Sequence, residues 1–376
     1  MRIGLTCTTI ESVLTNGQLD GIGTYTKKLY ENLIAQGENI VPYSFPNSDK
    51  NLKSDFENGQ FFSSNYTKST VASFLSPTNR HKNIAKNIDI FHATDHMLPK
   101  IKNLPVVATI CDAIMFKHAD WHFDTIRLGN LKKWARKKTI HWADHYITIS
   151  HAMVPELVEH IGIKEENISV IYLGVDNIWF EKTSAKVKQK IREKYNLPEK
   201  FILCTGTIQH KKNLARTIKA YLKLPKDVQD EYPLIIIGRK GWGIKESMAA
   251  IKELTSNNKG KWLDYVEFDE LLAIFQMASL YLHASLHEGF GLTLLEAFAS
   301  ETPVVTSNIT ALPEVAGDAA VLVDPLSVDD IKNGVLKVLT DESLQGKLIT
   351  KGRLRARLFS WDKCAKETLK VYKGLT

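Results

Sequence analysis

Cysteine is scarce in this 376-residue chain, and the four present (Cys7, Cys111, Cys204 and Cys364) lie far apart with no C-x-x-C spacing. That excludes a disulfide framework or a thiolate zinc site as the organising element. Long apolar runs are missing too: none approaches the roughly 20 residues that a bilayer-spanning helix needs. The start, M-R-I-G-L-T-C, reads as a strand beginning at once rather than a signal peptide, and a cytosolic chain is the expectation. Acidic residues are outnumbered, 42 against 49 Lys and Arg, for a formal net charge of +7. The balance favours anionic partners: nucleotide sugars, phospholipid headgroups or nucleic acid. No nucleic-acid recognition motif accompanies the charge, which ranks nucleic acid last.

What the chain does have is length for two cores and a steady alternation of strand and helix patterns. Arg2–Cys7, Ile40–Phe45, Ile88–Ala93, Val106–Cys111, Tyr146–Ile149 and Ile168–Tyr172 read as strands, several continuously apolar as buried parallel strands are. Helical spacing marks Ile22–Gln36, Ile126–His141 and Ala152–His160, while the polar stretch Asn47 to Tyr66 reads as a loop. A second series follows the charged helix Lys182–Lys194, with strands expected at Phe201–Thr205, Leu234–Ile237, Tyr265–Phe268, Leu280–Ala284, Val304–Ser307 and Val321–Val323. Helices are expected at Val328–Leu339, Leu344–Leu358 and from Ser360-Trp361 onward. Such alternation indicates parallel sheets covered by helices on both faces.

The second series is organised around Ser285 to Ala297, S-L-H-E-G-F-G-L-T-L-L-E-A. Gly289 and Gly291 permit a tight turn and close approach of a ligand between a strand and a helix start. Backbone N–H groups there, with the helix dipole behind them, suit a phosphate or a sugar oxygen carrying developing charge. Glu288 and Glu296 bracket the loop, and ionised carboxylates suit vicinal sugar hydroxyls because they only accept hydrogen bonds. Thr293 followed by Glu296 equally fits a capping box, in which the Glu only satisfies a helix N-terminus. Both readings stand at this point.

The stretch E-G-F-G-L-T-L-L-E-A-F-A-S-E-T-P-V-V-T-S-N, followed by A-L-P-E-V-A-G-D-A-A-V-L-V-D-P, resembles the C-terminal half of retaining glycosyltransferases of family 4. Glu288 and Glu296, with seven residues between them, match the family's paired-Glu signature. The resemblance runs over nearly the whole chain, is strongest from Phe201 to Pro325, and leans toward the mannosyltransferases of O-antigen and exopolysaccharide synthesis. It implies the GT-B fold, two Rossmann-like doubly wound domains facing across a cleft: residues 1–176 on the acceptor side, joined by a returning C-terminal helix at 360–376, and 177–359 on the nucleotide-sugar side. It further implies that Glu296 accepts the ribose hydroxyls. Glu288, with the loop Gly289, Phe290, Gly291, Leu292 and Thr293, would orient the sugar and distal phosphate.

Other positions follow from the residues and the resemblance together. Gly21 and Gly23, in D-G-I-G-T before the first long helix, could pass beneath a diphosphate, though the pattern is not a full G-x-G-x-x-G and also reads as a turn with a Thr cap. Lys212-Asn213 matches the family's phosphate-binding Lys; the Arg expected directly after Gly206 is Thr207, and Lys211 is the candidate second charge. Asp112 is a catalytic candidate at a strand end, but its neighbour is Cys111 where related transferases carry His, and a thiol is a poor substitute. Either the His is dispensable or His92, His96 or His118 replaces it; a buried strand Cys is the plainer reading. Arg127 to Trp142 carries Arg127, Lys132, Lys133, Arg136, Lys137 and Lys138 with no acid, and Leu128, Leu131, Ala135 and Trp142 share a face beside Trp134. That suits either an anionic membrane surface or a sheet-covering helix with a charged outer side.

The expected activity is metal-independent transfer of a hexose, with retention, from a nucleotide sugar (GDP-mannose by subgroup resemblance) to a glycan or lipid-linked oligosaccharide, with no cofactor besides the donor. A non-catalytic nucleotide-sugar binder, motivated by Cys111 and Thr207, and a sugar-nucleotide epimerase are the alternatives.

Overall fold

The computed structural model describes residues 1–47, 52–75, 82–118 and 126–376, with only the backbone of 82 and 126–132. The chain divides into two compact units, Met1–Gly174 with Trp361–Thr376, and Val175–Ser360. Each is built on one parallel sheet.

In the first unit the strands are β1 (Arg2–Thr6), β2 (Asn39–Ser44), β3 (Gln60–Phe61), β4 (Ile90–Ala93), β5 (Val106–Thr109), β6 (His145–Thr148) and β7 (Ile168–Val170), in the spatial order β3-β2-β1-β4-β5-β6-β7. β4 and β5 are buried at every position, as strands covered on both faces must be. The helix Gly21–Ala35 begins where Asp20 Oδ1 accepts from the Gly23 N–H at 2.8 Å; the cap is therefore Asp20, not a Thr. The helix Trp361–Leu375 packs against Gly21–Ala35 and buries Trp361, Cys364, Leu369 and Tyr372.

The second unit holds β8 (Ile202–Thr205), β9 (Leu234–Ile237), β10 (Gly260–Leu263), β11 (Leu280–His283), β12 (Val304–Ser307) and β13 (Val321–Val323), in the order β10-β9-β8-β11-β12-β13. Three expectations needed correction here and in the first unit. Tyr265–Phe268 is not a strand: Tyr265 and Phe268 are 48% and 46% exposed, and Phe268 opens a helix, Phe268–Phe275. The strand is β10, an edge strand half-buried along its length, whose Gly-Lys-Trp-Leu carries little apolar signal. β3 hides in the polar stretch 47–66 for the same reason. The segment 152–160 is not one α-helix but a run of 3-10, α and π turns, with Pro155 near its start and Gly162 (φ 85°) closing it.

In each sheet the connection direction reverses beside the first strand, between β1 and β4 and between β8 and β11. Loops leaving the C-terminal ends of strands on either side of such a switch point diverge and leave a crevice for ligands. In the second unit those loops are Gly206–Asn213 and Ser285–Gly291.

Candidate functional site

The loop after β8 is shaped by left-handed residues. Gly206 has φ +118°, and after the 3-10 turn His210–Lys212 the chain passes through Asn213 at φ +57° into the helix Leu214–Leu222. Asn213 tolerates that conformation, and its Nδ2 donates to the carbonyls of Ala284 (2.9 Å) and Pro325 (2.7 Å). The Leu286 N–H donates to the Lys211 carbonyl at 2.8 Å. These bonds tie the two switch-point loops together and bring Lys212 Nζ to 2.6 Å from Glu288 Oε1.

The loop after β11 ends at Gly291, φ +111°, which is the N-cap of the helix Leu292–Ala299 and makes no side-chain capping bond. A Cβ there would meet Leu312 Cδ2 at 2.9 Å, so glycine is demanded by both φ and space. With Gly291 as the cap, Thr293 is already the second helical residue and Glu296 the fifth; the capping-box reading falls. Phe290 is 3% exposed and sits edge-on to Phe359 at 5.8 Å, so its side chain belongs to the core and only its backbone can serve a ligand. Leu292, Thr293 and Glu296 are half-buried.

The two carboxyls differ sharply. Burial works to raise Glu288, but Lys212, a hydrogen bond from His283 and the charge of Lys211 outweigh it and hold the carboxyl well below its usual range. Its Oε1 also accepts from Ser285 Oγ at 2.8 Å. Glu296 is pushed up to about 7 by burial and by Asp176, with Lys212 opposing. A fixed anion and a carboxyl poised near neutrality thus share one cation. His283 and Ser285 were not singled out from sequence. The readable signal was a His and a Tyr two apart in an apolar strand, Tyr281 and His283, which period-2 geometry puts on one face.

In the first unit, Gly21 is exposed and a Cβ there would meet none of the described residues within 4 Å, whereas a Cβ on Gly23 would meet the Thr9 carbonyl at 2.9 Å. The Gly23 N–H is occupied by the Asp20 carboxylate, which narrows the amide donors left for a diphosphate at this loop. Asp112 lies past the end of β5 with Oδ1 accepting from the Ile114 N–H at 3.2 Å. Cys111 is also past the strand and only half-buried, not a buried strand residue. Of the three histidines proposed to replace it, His92 is fully buried between Tyr372 and Thr109 and lowered to about 3 by burial, a structural role. His96 is lowered to about 4 by burial against the opposing charge of Asp112, and its buried Nδ1 has no hydrogen-bond partner among the described residues. His96 thus shares the field of Asp112. His118 ends the short helix Ile114–Lys117.

The basic helix spans Ile126–Ile140. Leu128, Leu131, Arg127 and Lys132 lie outside the described side chains. Lys133 and Lys137 donate to the carbonyls of Phe116 and His160, and Arg136 to the Met115 sulfur. Trp134, 52% exposed, stacks on Phe74, 41% exposed, at 5.6 Å, beside Val71 and Leu75, which are 51% and 81% exposed. Among the described residues no group of three or more His, Cys, Asp or Glu is placed to hold a metal ion, and no helix is long and apolar enough to cross a membrane.

Two parallel doubly wound sheets of seven and six strands are the GT-B fold. The matching families cover most of the chain: glycosyl transferases group 1 over residues 187–355 and glycosyltransferase family 4 over residues 19–177. The chain belongs to glycosyltransferase family 4 and is a hexosyltransferase of that family. It is 29% identical to O-antigen chain mannosyltransferase B of Escherichia coli, over 76% of this chain and 74% of that protein. It is 31% identical to the serotype-specific mannosyltransferase WbdA of the same organism, over 59% of this chain but 28% of that longer protein. Among solved structures it resembles Anabaena HepE in complex with UDP and glucose, with a TM-score of 0.74 at 16% identity over the full length of both chains.

Proposed function

We propose that the chain is a retaining mannosyltransferase, moving mannose from GDP-mannose to a glycan or lipid-linked glycan in the synthesis of a surface polysaccharide. The kinship to an O-antigen mannosyltransferase supports the sugar and the setting, and the UDP-and-glucose complex of HepE supports a nucleotide-sugar donor. The observation that carries the reading is the Lys212–Glu288 pair at the β8/β11 switch point, with Glu296 one turn and a half along the helix behind it.

The roles follow from chemistry. Lys212, with Lys211, supplies positive charge to the diphosphate as its bond to the sugar breaks, which is the main electrostatic task when the sugar develops oxocarbenium character. Glu288 accepts from sugar hydroxyls, helped by the Gly289–Thr293 backbone. Glu296 accepts from the ribose hydroxyls. Asp112 and His96 stand as acceptor-side groups. No protein nucleophile and no metal is assigned. The enzyme is proposed to work in the cytoplasm against the inner face of the membrane, where the exposed Trp134–Phe74 stack and the basic segment 127–142 meet anionic lipid.

Thermal stabilisation by GDP-mannose, UDP-glucose and UDP-galactose, with and without EDTA, tests this on wild type and Glu296→Ala. A donor at 100 times its dissociation constant adds about 2.7 kcal/mol. Stabilisation by GDP-mannose alone, insensitive to EDTA and lost in the variant, is expected; a response confined to UDP-sugars refutes the mannosyl assignment.

A further inference from the structure

All hydrogen bonds described for the Glu288 side chain fall on Oε1: from Lys212 Nζ at 2.6 Å, Ser285 Oγ at 2.8 Å and His283 Nε2 at 3.1 Å. A carboxylate only accepts, so His283 must carry its proton on Nε2. Its Nδ1 is then an acceptor, and the Tyr281 hydroxyl lies 3.1 Å away to donate to it. The phenol has one proton and uses it there, so it accepts in turn from Thr205 Oγ1 at 3.0 Å. The result is an ordered chain of donors, Thr205 to Tyr281 to His283 to Glu288, in which every orientation is fixed by the last acceptor. Tyr281 and His283 are 0% and 4% exposed, and their rings stack at 5.6 Å. Burial and the nearby Lys212 lower the imidazole from its usual value and so favour the neutral ring the chain requires.

Lys212 is the exception in this cluster. It is a cation bonded directly to Glu288, and it is the group the diphosphate must engage. We propose that His283 is a positioning residue: pinned in one tautomer by Tyr281 and Thr205, it holds the Glu288 carboxylate in place when Lys212 turns from it to the phosphate of the donor. This rests on the donor-binding reading above. Ser285 alone could not do the same, since its hydroxyl rotates freely and also lies 3.3 Å from His283 Nε2. The imidazole is rigid, buried and oriented from behind.

The test compares full-length wild type, His283→Leu, His283→Gln and Tyr281→Phe. Nitrogen-15 NMR of the histidines reads the tautomer directly, with and without GDP. The neutral Nε2–H form is expected for wild-type His283 from about pH 6 to 8, with the preference loosened in Tyr281→Phe. In turnover of GDP-mannose, His283→Leu should lower kcat by at least about 10-fold while KM for the donor stays within about threefold, because positioning rather than binding is lost. His283→Gln, which keeps an N–H toward Glu288, should recover most of the rate. An Nδ1–H tautomer overturns the proposal. So does a folded His283→Leu that turns over as wild type does, or Leu and Gln variants that are equally impaired. If wild type neither binds nor turns over the donor, the functional reading falls, and the tautomer still decides the relay.

Discussion

Replacing Glu296 with Gln should make the unliganded protein more stable and a worse binder, with the first effect governed by pH. The side chain is half-buried and pushed from an ordinary 4.5 to about 7, chiefly by burial and by Asp176. The sign follows from proton counts. Between 4.5 and 7 the unfolded carboxyl has released its proton while the folded one still holds it, so stability present at pH 4.5 is lost as pH rises through 7. At 1.36 kcal/mol per pH unit, the rise from 4.5 to about 7 sets an upper limit of about 3 kcal/mol. Solvent at the partly exposed carboxyl screens some of this, leaving about 1–3 kcal/mol. Gln has no charge to bury, so Glu296→Gln should match wild type near pH 4.5 and exceed it at pH 8. For a unit of this size each kcal/mol moves Tm by about 2–4 °C. The assay is differential scanning of the full chain at both pH values, following the transition that GDP shifts, since two units need not melt together. At pH 8 the same variant should bind GDP about 10- to 100-fold more weakly, having lost charge-assisted acceptors for hydroxyls. A variant no more stable than wild type at pH 8 would refute the assignment of Glu296 as a strained carboxyl kept for a ligand.

Lys212→Met should leave the buried Glu288 anion without its salt-bridge partner and cost up to about 3–5 kcal/mol in chemical denaturation, much of it recovered in Lys212→Met/Glu288→Gln, whereas donor binding stays lost in both. Gly291→Ala forces a left-handed φ of +111° on a residue whose Cβ would lie 2.9 Å from Leu312, and should lower stability by at least about 1–3 kcal/mol in the same assay. Trp134→Ser combined with Phe74→Ser should abolish co-sedimentation with vesicles containing about 30% phosphatidylserine while leaving Tm within a few degrees, because each residue is already about half exposed. Retained binding would assign the basic helix to an ordinary outer face.

How much was legible in the sequence depended on how apolar a run each element carries. Leu234–Ile237, Val304–Ser307 and Val321–Val323 are strands at the residues their apolar runs mark. β3 (Gln-Phe) and β10 (Gly-Lys-Trp-Leu) escaped because they carry almost no apolar run, whereas β13, an edge strand too and with Leu322 39% exposed, keeps Val-Leu-Val. The site divides along the same line. Glu288, Glu296 and the glycines between them can be read because their spacing is local to one loop and one helix turn. Whether Glu296 caps that helix could not be read, because the answer lay in the φ of Gly291, which a sequence does not state. His283 escaped for a further reason: it looks like a core histidine, and it is one. Its significance comes from Lys212, about 70 residues away, which β8 and β11 bring to the same carboxylate by pairing side by side. A residue's chemistry is local, but its proton is assigned by partners that only the sheet order brings together. That is why the Tyr281-His283 pair reads as packing in the sequence and as an oriented donor chain in the fold.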